Sequence, residues 1–268
     1  MGMKLSKENA EPLKATARVA IVTGGSRGIG LGICEAFASD GISVAIVYRD
    51  NDIAAREAED ALRKAGASVM TVKADVAVPA ETARVVEAVV AKWGRIDILV
   101  NNAGAFRFAF LDEMDEAFFD ALIDVNLKGA IFMTKHALPW LKKSGHGRVL
   151  YASSISGRLA DVGLIAYGCS KAGIDMLTRI SSAELAPFGI TVNAYAPGII
   201  STEMTREMIE TRGSEQVKQV PAGKFGEPKD VANLVKFLCS PEADYITGEI
   251  IGVDGGMLKV QNPARARR

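Results

Sequence analysis

One stretch of this sequence leaves the backbone little choice. Thr23-Gly24-Gly25-Ser26-Arg27-Gly28-Ile29-Gly30 follows a short, mostly apolar run from Ala17 to Val22 and precedes a helical pattern from Leu31 to Ala38. Strand, glycine-rich turn and helix in that order let a ligand approach the bare backbone closely. The first N–H groups of the new helix have no intrahelical partner and favour an anion such as a pyrophosphate. A run of glycines also serves simply as a turn; its place between strand and helix points to a bound dinucleotide.

The same alternation continues along the chain. Strands are predicted at Ser43–Tyr48, Ser68–Lys73, Ile96–Val100, Gly147–Ala152, Ile190–Tyr195 and Glu249–Val253. Helices are predicted at about Ile53–Ala65, Pro79–Trp93, Glu116–Leu141, Ala166–Ala186 and Lys229–Cys239. Strands that alternate with helices build an α/β fold around a parallel sheet, and 268 residues suit one such domain. No repeat or linker divides it, so residues 17–258 read as the domain, 1–16 as an N-terminal extension and 259–268 as a tail. Segment 199–222 is polar, contains Met and has weak periodicity; there it reads either as a lid over a substrate or as exposed helices.

Charge and cysteine usage remove several classes of function. Thirty-two basic residues balance 32 acidic ones, so no global field favours nucleic acid or an anionic membrane. Cys34, Cys169 and Cys239 stand far apart, and the only histidines are His136 and His146, which argues against disulfides and against a metal site. Residues 1–16 lack an apolar core for a secretory signal, and no apolar run of membrane-spanning length occurs, so a cytoplasmic location is expected.

Two features carry chemistry. Tyr167-Gly168-Cys169-Ser170-Lys171 places a phenol and an ammonium four residues apart on one helical face. A fixed positive charge beside a phenol favours phenolate, so Tyr167 is expected to exchange a proton with a substrate oxygen. Asn126 sits inside a helical pattern where its propensity is poor, so its side chain is either satisfied locally or kept for a site.

The second predicted strand ends in Tyr48-Arg49 rather than in the Asp or Glu that would bind the 2′-hydroxyl of NAD. With Arg27 in the glycine-rich turn, two cations stand ready for a 2′-phosphate, and NADP(H) is favoured over NAD(H). The alternative is that Arg49 only solvates a loop that also holds Asp50 and Asp52.

Taken together, the motifs resemble the short-chain dehydrogenase/reductase family. Thr-Gly-x3-Gly-x-Gly at Thr23 to Gly30 is followed in order by Asn-Asn-Ala-Gly at Asn101 to Gly104, Asn126, Ser154, Tyr-x3-Lys at Tyr167 to Lys171, and Pro197-Gly198. The resemblance implies a single doubly wound Rossmann domain whose seven-stranded parallel sheet runs in the order 3-2-1-4-5-6-7, flanked by helices, and commonly a homotetramer. It implies that Tyr167 is the general acid in carbonyl reduction and that Ser154 hydrogen-bonds the substrate oxygen. Lys171 would lower the tyrosine pKa and bind the nicotinamide ribose, and Asn126 would hold a water that passes protons to Lys171. Ser154 is chosen over Ser153 and Ser156 because it stands thirteen residues before Tyr167, the family's spacing. For the cofactor the matching positions are Gly24, Ser26, Arg27, Gly28, Ile29 and Gly30 at the phosphates and Asp75 and Val76 at the adenine. Asn102, Ala103 and Gly104 fall near the ribose and Thr202 near the carboxamide, and Pro197 and Gly198 are also matched as cofactor-binding.

Val220 to Pro228 and Tyr245 to Met257 resemble the C-terminal part of 3-oxoacyl-[acyl-carrier-protein] reductases. In those reductases, basic residues before the fifth strand and after the helix of the tyrosine contact the acidic carrier. The corresponding positions here are Gly145 and Phe188, with Lys142, Lys143 and Arg179 near in sequence, so carrier recognition stays open. The expected activity is NADPH-dependent reduction of a 3-oxoacyl thioester or a related small ketone. The alternatives are an alcohol or sugar dehydrogenase working oxidatively, and a dinucleotide-binding module without turnover.

Overall fold

The computed structural model describes residues 17–260 and 263. The extension expected over 1–16, and the tail from 259 onward except 259, 260 and 263, lie outside the described residues. Every residue of β1 (Val19–Thr23) and β4 (Ile98–Asn101) is buried, as strands covered by helices on both faces require. β2 (Ser43–Tyr48), β5 (Arg148–Ala152) and β6 (Thr191–Pro197) are buried except at their last residue. β3 (Val69–Lys73) and β7 (Ile250–Val253) are more exposed because they are the edges of the sheet. All seven strands are parallel, in the order β3-β2-β1-β4-β5-β6-β7, as the sequence resemblance implies.

Successive strand residues face opposite ways, so the strands feed two cores. Val19 and Ile21 of β1 join Val85 and Val89 of α3 (Pro79–Trp93), Met133 and Leu141 of α5 (Gly129–Ser144), and Ile174 of α6 (Ile165–Leu185). Ala20 and Val22 face the other way, toward Ile33 and Phe37 of α1 (Gly28–Ser39), Leu62 of α2 (Asp52–Lys64), and Val235 and Leu238 of α8 (Pro228–Leu238). α8 starts sharply, with Pro228 in its first turn and a reciprocal cap between Glu227 and Asp230.

The long helix expected over Glu116–Leu141 is two α-helices joined by a wider turn. α4 (Glu116–Ile123) passes into a π-helical turn at Asp124–Lys128 and then into α5. The π turn contains Asn126, whose poor helix propensity was the local signal. Segment 199–222 holds 3₁₀ turns at Glu203–Thr205 and Val217–Gln219 around α7 (Arg206–Gln216), in which only Gly213 is buried. It is tied down at both ends: Gly226 donates to the Ile199 carbonyl (3.0 Å) and Ala222 to that of Gly255 (3.0 Å). Among the described residues no helix is long and apolar enough to cross a membrane.

Candidate active site

The strand order reverses between β1 and β4, and in open α/β sheets the crevice beyond the carboxyl ends at that point takes the ligand. Thr23, the last residue of β1, is the hub there. Its hydroxyl accepts from the N–H groups of Asn102 and Ala103, both at 2.9 Å. The Asn102 amide donates to the carbonyls of Thr23 (2.9 Å) and Gly24 (3.2 Å), and the Tyr195 hydroxyl donates to Asn102 Oδ1 (3.0 Å). The ends of β1, β4 and β6 are thereby locked together under the glycine-rich turn. A Cβ on Gly30 would lie 2.1 Å from the Gly24 carbonyl oxygen, so only glycine closes this turn.

α1 begins at Gly28 with no side-chain cap and no acidic residue in its first turn. Its free N–H groups and positive dipole end therefore fit an anionic group, with Ser26, Arg27, Gly28, Ile29 and Gly30 around it. Arg27 is extended (φ −158) and pairs through its guanidinium with Glu203 at 2.6 Å. The Thr202 methyl faces Gly28, while its hydroxyl lies 3.3 Å from that of Thr205, so Thr202 brings the base of segment 199–222 against the turn.

Arg49, Asp75 and Val76 form a second group at the ends of β2 and β3. Arg49 is exposed and pairs with Asp50 at 2.5 Å, which with Asp75 nearby raises its pKa. Asp52 instead takes Lys73 at 3.0 Å and the Tyr48 hydroxyl at 3.0 Å. Asp75 also acts as a turn residue, accepting from the Ala77 N–H at 2.9 Å, and Val76 is buried.

The third group lies at the ends of β4 and β5. Asn126, buried in the π turn, accepts from the Ala105 N–H (2.8 Å) and donates to the Ala105 carbonyl (3.0 Å) and the Ser170 hydroxyl (3.1 Å). A Cβ on Gly104 would lie 3.2 Å from Asn126 Oδ1 and 3.6 Å from Lys171 Nζ, so bare backbone separates the two side chains. Lys171 donates to the Ala152 carbonyl at 2.9 Å, and its Nζ lies 5.5 Å from the centre of the Tyr167 ring. Ser154 accepts from the Ser156 N–H at 3.1 Å and stands close enough to the Tyr167 phenol to lower its pKa. Ser153, the first residue past β5, donates instead to buried Asp175. Gly198 is held at the end of β6 by its N–H bond to the Val253 carbonyl, 3.0 Å.

Electrostatics depart from the sequence expectation at one point. Burial pushes the Tyr167 phenol up, and the opposing pull comes from the Ser154 hydrogen bond rather than from Lys171. The reason is that Lys171 is itself buried: desolvation lowers its pKa to about 8, against the opposing charge of Asp175. The sequence reading did not reach Tyr195, Ser170, Asp175 or Phe106, whose ring meets that of Tyr167 edge-on at 4.9 Å. None carries a local signal, because each is ordinary strand, helix or loop composition until the fold brings it to the site.

Residues 24–258 match the family described as Enoyl-(Acyl carrier protein) reductase. The 3-oxoacyl-[acyl-carrier-protein] reductase FabG of Thermotoga maritima is 38% identical over 249 residues, covering 92% of this chain and all of that protein. The enzyme of the same name from Staphylococcus aureus is 38% identical over 238 residues, 89% of this chain and 97% of that one. Among solved structures, a short-chain dehydrogenase/reductase from Serratia marcescens superposes with a TM-score of 0.86 at 34% identity, over 90% of this chain and 98% of that one. A short chain dehydrogenase from Burkholderia cenocepacia, solved in complex with NADP, gives 0.85 at 34% identity over 92% of this chain and 100% of its own. With its parallel sheet, its glycine-rich turn and its NAD(P)-dependent oxidoreductase relatives, the chain belongs to the short-chain dehydrogenase/reductase family.

Proposed function

We propose that the protein is an NADPH-dependent carbonyl reductase acting on a 3-oxoacyl thioester or a related small ketone. The observation that carries this reading is the convergence of Ser154 and Lys171 on Tyr167, with the Lys171 ammonium beside the bare backbone of Gly104. The reduced dinucleotide supplies a hydride when bound. The Ser154 and Tyr167 hydroxyls are two donors available to the carbonyl oxygen, where negative charge develops as the hydride arrives. Tyr167, kept protonated by burial, gives its proton to that oxygen. Below about pH 8 Lys171 is an ammonium when this happens and stabilises the phenolate left behind, whereas by the higher pH at which the resting phenol would ionise it is already neutral. Asn126 holds the chain at Ala105 and links it to Ser170, fixing the floor of the site between β4 and α6.

NADP(H) is preferred because the end of β2 carries Arg49 where an acidic residue would repel a 2′-phosphate. The carboxylates now beside Arg49 and Arg27 are surface partners, worth at most about 1 kcal/mol each, and a phosphate can displace them. The NADP bound to the Burkholderia relative agrees with this choice. Arg49→Asp is expected to shift the ratio of kcat/KM values toward NADH, and an unchanged ratio would remove Arg49 from phosphate recognition.

Positions 145 and 188 are not basic, yet the Lys142 ammonium lies 3.6 Å above the Phe188 ring and that of Lys143 4.4 Å above Trp140, so cations do occupy this face. Ile165, Cys169, Met176 and Ile180 form an exposed stripe along α6, a surface suited to self-association into the family's tetramer; light scattering of the purified protein tests it. Initial rates of NADPH oxidation on acetoacetyl thioesters of carrier protein and of a small thiol, on free ketones and on ketoses test the substrate class. Preference for the carrier-bound thioester establishes the fatty-acid reading; equal or better rates on free ketones make this a small-molecule reductase. Activity confined to alcohol or sugar oxidation would overturn the reductive reading.

A further inference from the structure

Behind Tyr167 and Lys171 lies a buried polar group that the mechanism above does not use. Asp175 follows Lys171 by four residues in α6, so the two share a helix face, with Cβ atoms about 5–6 Å apart. Asp175 is 5% exposed, which makes an unpartnered carboxylate there costly. It is held from two sides: Ser153 donates to one oxygen, and Arg158 Nε donates to the other at 3.0 Å. Arg158 is anchored in turn on the Ile250 carbonyl of β7 at 3.1 Å. The 3₁₀ turn at Ile155–Gly157 presses directly on α6 at this level, since a Cβ on Gly157 would lie 3.0 Å from the carbonyl carbon of Lys171. Ser153 and Ser154 are consecutive residues just past the end of β5, and one serine serves the acid while the other serves the tyrosine.

We propose that Asp175 is a positioning residue for the reaction: clamped by Ser153 and Arg158, its carboxylate is the counter-ion that keeps Lys171 an ammonium inside the protein. This rests on the reductase reading given above for the role of the ammonium, though not for its existence. The charged and titratable groups around Lys171 are few. On its own helix they are Tyr167 and Asp175. From β5 and the following turn comes Arg158, already paired with Asp175. In the π turn, Asp124 and Lys128 pair with each other at 2.7 Å, and Asn126 carries no charge. Burial drives the lysine toward the neutral amine, and Asp175 is the opposing charge.

Arg158 makes the proposal testable by sign. Asp175→Asn keeps shape and removes the charge, so the Lys171 pKa falls, by about one unit for a close opposite charge. Arg158→Gln removes the competing cation and raises it. Two readouts are taken on each variant. One is the ε-carbon NMR titration of Lys171 in protein with labelled lysine, assigned by the spectrum of Lys171→Met. The other is the pH profile of kcat for NADPH oxidation with acetoacetyl-N-acetylcysteamine. For Asp175→Asn the alkaline limb is expected to move about one unit toward acid, a roughly fivefold loss at pH 8 with little change at pH 6. Asp175→Glu is expected to recover part of the shift, and Arg158→Gln to move the limb the other way. An unmoved lysine titration in Asp175→Asn, or shifts of the same sign in Asp175→Asn and Arg158→Gln, would overturn the proposal. If the titration moves as stated and no variant or wild type oxidises NADPH, the counter-ion stands and the reductase reading fails.

Discussion

The guanidinium of Arg27, in the glycine-rich turn, lies 2.6 Å from a carboxylate oxygen of Glu203, at the base of segment 199–222. The two residues are 176 positions apart, so this contact exists only because the sheet brings the ends of β1 and β6 to one crevice. Side-chain exposures of 59% and 56% make it a weak, salt-sensitive pair. Its interest lies in competition: on the proposed reading, the same guanidinium is the one offered to a cofactor phosphate.

Glu203→Gln is therefore expected to tighten NADPH binding. A surface pair worth at most about 1 kcal/mol corresponds to a gain of up to about fivefold in Kd, largest at low ionic strength. Fluorescence titration with NADPH in low and high salt measures it. A Kd unchanged at low salt would show that Arg27 is equally available with or without its partner.

Tyr167→Phe removes the proposed proton donor but keeps the ring that packs edge-on against Phe106. Turnover should fall by about 10² to 10⁴ fold, the range for one positioned proton donor, with NADPH affinity largely retained. Stopped-flow NADPH oxidation alongside binding isotherms separates the two effects. A variant with a near-normal rate would take Tyr167 out of the mechanism.

The folded-state pKa of Lys171, about 8, lies below its ordinary value of 10.5. Below pH 8 the folded protein carries a desolvated ammonium that the unfolded chain keeps in water. This group thus opposes folding in full there, by on the order of 3 kcal/mol, and its penalty fades as pH rises from about 8 to about 10.5. Lys171→Met is expected to be more stable than the wild type at pH 7, with the advantage shrinking toward pH 10, while losing activity. Urea unfolding at the two pH values checks the sign. Wild-type reduction should decline above about pH 8 as the ammonium is lost.

Asn126→Ala leaves the Ala105 N–H and carbonyl without side-chain partners and removes a bond to the Ser170 hydroxyl. Because Ala105 is only half-buried, water reaches part of what is left, and a loss of about 1–3 kcal/mol in urea-derived stability is expected. Asn126→Asp should not rescue it, because a carboxylate cannot donate to the Ala105 carbonyl. Stability within about 0.5 kcal/mol of wild type would show that water replaces the amide at no cost.

The sheet was legible because its central strands are buried on both faces, and Ser43 to Tyr48 or Ile98 to Asn101 can hardly be anything else. The glycine-rich turn was legible because its packing admits no side chain at position 30. Segment 199–222 was harder to read: α7 buries almost nothing, so it has no apolar stripe to show. Asn126 signalled a conflict without revealing its resolution, since a π turn depends on contacts with Ala105 and Ser170 that lie far away in sequence. Arg27 with Glu203, Tyr195 with Asn102, and Arg158 with Asp175 are pairings between distant residues, invisible to any local pattern. The acidity of Tyr167 was misjudged because spacing along a helix reports a neighbouring charge and says nothing of how far that charge has been taken out of water.

The π turn at Asp124–Lys128 also bears on how this chain can change in length. A helix turns about 100° per residue. A π turn spreads one extra residue over a single turn, so deleting one residue between 124 and 128 would let the run close into regular α-helix with α5 in nearly the same rotation against α4. Met133, Ala137 and Leu141 would stay against the sheet, while the wide turn that presents the amide of Asn126 to Ala105 would be lost. Exposed segments such as α7 can gain or lose residues and stay near their anchors. Among the described residues, the stretch from 124 to 128 is thus a place where losing one residue would spare the packing of α5 and cost the chain only the local geometry around Asn126.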